Sequence, residues 1–169
     1  MLSRFLVVFF LLAAFSGAIL AQDNAELVTL AKEDQASRMG QEIARTDDER
    51  RQRVFVLLAE GKVQSPQDKF NAALVLQHTG MSFCGDTLVS LSAENYLLAH
   101  RLFEQAMLAG IADAKYLYAA SIDRYLSITE GRQRYGTNRI INQETGAEEF
   151  PPIDRSVSDE ERAKYGVPP

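Results

Sequence analysis

Helix start and stop signals recur along this chain about one helix length apart, and that punctuation leaves little room for anything but helices. Ser65-Pro66 reads as a cap followed by a first-turn proline, and Gly80 closes the segment it opens. The core of that segment, FNAALVL, is apolar nearly all round, as expected of a buried central helix. Thr46-Asp-Asp-Glu49 is a capping box, in which the hydroxyl and the Glu carboxylate satisfy orphan amides at a helix start; Gly61 suits the left-handed stop. Upstream, Asp23 or Asn24 caps a run with Leu27, Val28, Ala31, Met39 and Ile43 at helical spacing. Downstream, Ser92 caps AENYLLAHRLFEQAMLA, which Gly110 ends with Ile111 placed against Met107; a further helix over AKYLYAASIDRYLSITE ends at Gly131.

No strand signal precedes residue 137, and MSFCGDTLVSL reads as a loop. After Gly131 the composition changes. Tyr135-Gly136-Thr137 is a turn entering NRII, which pairs with AEEF as a small hairpin before Pro151-Pro152; Ser158-Asp-Glu-Glu161 then opens a short helix ending at Gly166. The expected fold is all-α, a bundle of helical hairpins over residues 22–131. A C-terminal tail, 132–169, carries the hairpin and the short helix and packs on that domain.

The first residues bear on location. Arg4, the apolar run Phe5 to Phe15, and small residues at Ser16, Gly17, Ala18 and Ala21 follow the order of a secretory signal peptide. Cleavage after Ala18 or Ala21 fits, and Ala21 is preferred because Gln22-Asp23 begins the polar chain; an uncleaved anchor is the alternative. The expectation is a secreted or periplasmic protein with no membrane attachment once the leader, residues 1–21, is removed.

A net charge of −5 repels phosphate backbones and argues against nucleic acid as a partner. The single Cys84 forbids an internal disulfide and reads as a small half-buried residue. With two histidines and one cysteine, neither a soft-ligand metal site nor a cofactor is expected. The charged stretch RTDDERRQR reads as a solvated helix face, and His100 as a partly exposed helix residue.

Two resemblances follow from the residues. Phe70, Ala73, Ala99, Phe103, Ala106, Gly110, Ala114 and Tyr116 resemble tetratricopeptide-type helical hairpin repeats, in which small residues let helices approach closely. Over nearly the whole chain after residue 22, an ordered series of short motifs resembles a bacterial family known only as a domain of unknown function. The series runs Asp34-Gln35-x-x-Arg38, Gln77-His78, Asp123-Arg124, Gly131-x-Gln133-x-Tyr135-Gly136-Thr137, Pro152-x-Asp154, Asp159-Glu160-x-Arg162 and Gly166. Where that family usually has Gln after Tyr-Gly-Thr, this chain has Asn138. The resemblance implies a helical domain and supplies no activity.

The chain has no zinc-binding His-Glu-x-x-His, nucleophile elbow or phosphate loop. Candidate chemistry rests on Asp34, Gln35, Arg38, Gln77, His78, Asp123, Arg124, Tyr135 and Thr137. Asp34 and Arg38 stand at the i, i+4 spacing of an exposed pair, while neighbouring Asp123 and Arg124 point about 100° apart. Either these groups form a structural network, or they converge into a pocket that Tyr135 and Thr137 close and that holds a carboxylate or peptide terminus. The favoured function is a protein- or peptide-binding or scaffolding module of the cell envelope. The alternative is a hydrolase-like or transferase-like enzyme with His78 as base, Asp123 orienting it and Arg124 holding an anion.

Overall fold

The computed structural model describes residues 22–168 apart from 85–86, 142–144 and 147. The leader expected over 1–21 lies outside the described residues. Six helices occur among the described residues: α1 (Ala25–Arg38), α2 (Asp47–Ala59), α3 (Pro66–Gln77), α4 (Glu94–Leu108), α5 (Ala114–Thr129) and α6 (Asp159–Lys164). None is long and apolar enough to cross a membrane. Two antiparallel pairs complete the fold, β1 (Met81–Cys84) with β2 (Thr87–Ser90) and β3 (Ile140–Ile141) with β4 (Glu148–Glu149).

The caps do what their residue types allow. Asn24 accepts from the amides of Glu26 and Leu27, Thr46 and Glu49 form a complete capping box, and Ser65 with Asp68 forms a second behind Pro66. The second box also ties two helices together. The Asp68 carboxylate accepts from the Asn24 amide at 2.7 Å, and the Ser65 hydroxyl donates to Asp23 at 2.7 Å. The first turns of α1 and α3 are therefore side by side. Their last turns meet as well, through Asp34 and His78, so α1 and α3 run parallel with α2 as the return.

The core follows from that arrangement. Leu27 and Leu30 of α1, Val54 and Leu57 of α2, Ala72, Ala73 and Leu76 of α3, and Ala99, Phe103 and Ala106 of α4 form one buried cluster. Burying side chains of this size contributes about 1.5–3 kcal/mol for each Leu, Val or Phe. Alanines on α3 and α4 let those helices approach closely, and Phe70 meets Phe103 edge-on at 5.7 Å. Gly110, at φ 99°, lets α4 turn sharply into α5: its amide bonds the Met107 carbonyl while the Ile111 amide bonds Ala106 at 3.0 Å.

The structure departs from the sequence reading at several places. α1 stops at Arg38 rather than continuing through Ile43, because the chain breaks at Met39-Gly40, with Gly40 at φ 77°. α3 ends at Gln77 with His78 as its C-cap, before Gly80, which does not adopt the left-handed conformation. Ser92 does not cap α4; its hydroxyl donates to Glu94 instead. The segment read as a loop around Cys84 contains the β1–β2 hairpin, whose register sets Cys84 opposite Thr87 with two residues between. Cys84 itself is exposed and free.

Two charged residues and one histidine also differ from the expectation. Arg50 and Arg51, read as solvated, are buried, since Asp47 and Asp48 one turn earlier pair with their guanidinium groups and allow the stems to pack. His100 is buried too, stacked at 4.1 Å on Tyr118 with Nδ1 donating to the Tyr118 carbonyl at 2.9 Å.

Candidate functional site

The motif residues divide between two faces of α5. On one face, Asp123 is fully buried and its two oxygens take four hydrogen bonds, from the amides of Arg134, Tyr135 and Thr137 and from the Thr137 hydroxyl, all at 2.7–2.8 Å. A carboxylate so surrounded has no acceptor capacity left for an imidazole. Gly136 closes this turn at φ 80°, and a Cβ there would stand 2.7 Å from Ile153 Cδ1. Gln133 holds the next layer. Its main chain bridges Ile153, and its side-chain amide bonds Asn138 and Pro151.

Tyr135 is buried here and meets Tyr165 edge-on at 5.0 Å; burial pushes its phenol well above the usual range. Val167 and Ala119 share the same small core. The Tyr-Gly-Thr turn thus fastens the tail to α5, and Tyr135 and Thr137 do not close over the other motif residues. Gln133 had no signal beyond its place in the motif string, because an amide clamp between distant main-chain groups leaves no periodicity in sequence.

On the other face lies the Asp34 cluster. Asp34, buried on α1, contacts His78 across 44 residues of chain, with Nδ1 to Oδ2 at 2.5 Å. Asp34, rather than Asp123, is the partner of the imidazole. A carboxylate accepts, so Nδ1 carries the proton and Nε2 points away, without a hydrogen bond among the described residues. Gln35 donates to the same Asp34 oxygen at 3.0 Å, and Arg38 stands 3.6 Å from the other while also bonding Asp47 of α2. Burial pushes the Asp47 carboxyl upward, but hydrogen bonding and charge from Arg38, with Arg50, leave it below the ordinary range.

Arg124 reaches into this cluster from α5. One of its N–H groups donates to the carbonyl of Gln77, a cation set at the negative end of α3. Burial pulls its pKa down from the usual arginine value. The Gln77 side chain beside it is buried, and its Oε1 has no partner among the described residues.

A groove of about 580 Å³ runs between α1 and α3. Val28, Ala31 and Leu74 supply apolar surface, Gln35, Gln67 and Asn71 supply amides, and Met39, 71% exposed, stands at one end. Gln67, Asn71 and Leu74 lie on one stripe of α3 at helical spacing, and His78 is the next position on it. Gln35 belongs to both groove and cluster. No family model, curated protein or solved structure matches the chain.

Proposed function

We propose that the chain is an exported module that binds an extended segment of a cell-envelope protein or peptide in the groove between α1 and α3. The observation that carries this reading is the composition of that groove. Apolar side chains of Val28, Ala31, Met39 and Leu74 share the lining with the charged groups of Asp23 and Lys32 and with the amides of Gln35, Gln67 and Asn71, which can both donate to and accept from a main chain. Parallel α1 and α3 with α2 as the return are the arrangement expected of the tetratricopeptide-type resemblance. The resemblance to the domain-of-unknown-function family fits the same picture, with some motif residues fastening the tail and others standing at the groove's end. Export, to the periplasm or beyond, rests on the leader.

NMR titration with a random-sequence peptide pool tests the reading. Shifts concentrated on the facing sides of α1 and α3, and lost in Val28→Arg, are expected. Shifts spread elsewhere, or undiminished in that variant, would overturn it.

One observation favours a catalytic reading, the Asp34–His78 pair with an imidazole Nε2 left open. In that reading Asp34 takes the orienting role first given to Asp123, and Arg124 holds an anionic group. Ester hydrolysis that vanishes in His78→Ala supports it, and hydrolysis equal in the two proteins removes it.

A further inference from the structure

Next to the groove, and joined to it through Gln35, charge is unevenly distributed. Around the last turn of α3 the guanidinium groups of Arg38, Arg50 and Arg51 each pair with a carboxylate, from Asp34 or Asp47, Asp47, and Asp48 respectively. Arg124 pairs with none. Among the described residues it is the one arginine both largely withdrawn from solvent and without a carboxylate partner. Of the five N–H donors on its fork, one is engaged, by the Gln77 carbonyl. That bond offsets the partial negative charge of the α3 terminus; the remaining donors make no hydrogen bond among the described residues, although the Asp34 carboxylate acts on the guanidinium through space. His78 is one residue on, and its Nε2 makes no hydrogen bond among the described residues.

We propose that Arg124 receives the C-terminal carboxylate of a peptide lying in the groove, with His78 flanking it. The inference rests on the peptide-binding reading and fixes the direction of the occupant, parallel to α1 and α3. Asp23, which also accepts from the Ser65 hydroxyl, lines the groove at the start of α1 and offers a carboxylate to a peptide amine there, while Lys32 lines the groove between the two ends. A planar carboxylate meets a guanidinium through two parallel hydrogen bonds, which a terminal amide cannot reproduce.

The test uses the protein purified from cells expressing the full chain, with two immobilisation-free pools of random heptapeptides, one with free carboxyl termini and one amidated. Mass spectrometry reads what is retained. Wild type retains the free-acid pool at least about tenfold better. Arg124→Gln retains both pools at the level of the amidated one, with its circular dichroism unchanged, and Arg124→Lys keeps part of the preference.

Equal retention of the two pools by wild type overturns the carboxylate assignment while leaving the groove reading in place. So does an acid preference that persists in Arg124→Gln. Enrichment of Asp- or Glu-containing members of the amidated pool assigns Arg124 to a side-chain carboxylate and also overturns the terminal one. Retention of neither pool removes the groove reading, and this inference falls with it.

Discussion

Asp123 and Arg124 are neighbours on one helix, and their surroundings are opposite. Asp123 faces the tail, and both its oxygens are filled by the turn at 134–137. Arg124 faces the end of α3 and meets a single carbonyl. Both are charged groups withdrawn from water, which is costly unless the charge is met by hydrogen bonds or a counter-ion. A group whose capacity is full is there to hold structure. One whose capacity is left over is where an outside molecule can be met.

Removing Asp123 should give the largest effect. Asp123→Ala leaves three amides and a hydroxyl without their acceptor and should cost roughly 3–5 kcal/mol. Urea unfolding measures the loss, and limited proteolysis should cut between residues 132 and 168 first; a loss under about 1 kcal/mol would break the contrast. Gly136→Ala acts on the same side by a different route. The left-handed backbone and the contact with Ile153 together should cost roughly 1–3 kcal/mol, and Ile153→Val in the same chain should recover the steric part.

Arg124→Gln, on the other side of α5, should shift unfolding by less than about 1 kcal/mol, since it removes one hydrogen bond along with a desolvated charge. A destabilisation matching that of Asp123→Ala would show that Arg124 is a structural anchor as well.

The smallest effect is one of pH. Burial lowers the pKa of His100, so the folded chain keeps that imidazole neutral where the unfolded chain protonates it. Stability is fully present above about 6.5, declines as pH falls through that value, and levels off below the folded pKa. Thermal melting in steps from pH 7.5 to 5 should show this slope, and His100→Gln should flatten it.

Elements whose cause is local were legible in the sequence. The capping boxes at Thr46 and Ser65 and the turn at Gly110 need only residues within one helical turn of each other, so the type of residue at a fixed offset decides them. The pairing of β1 with β2 was missed because each strand is four residues long, too short for alternation to stand out. Arg50 and Arg51 were misplaced because their burial depends on Asp47 and Asp48 neutralising them, a condition that charge counting does not distinguish from a wet surface. For the site, the residues were found but not their partners. Asp34 with His78 and Arg124 with Gln77 are contacts across 44 and 47 residues, and only the parallel course of α1 and α3 brings the first pair together.

The rings of His100, Tyr118, Tyr165 and Tyr135 form a continuous file from α4 through α5 into the tail, with successive centroids 4.1, 5.1 and 5.0 Å apart. The chain has no tryptophan to obscure them. Ultraviolet dichroism near 280 nm therefore carries a contribution from this file beside that of Tyr96, Tyr116 and Tyr125, and the part lost in Tyr135→Phe reports residues 132–168 leaving or rejoining the bundle without any attached dye.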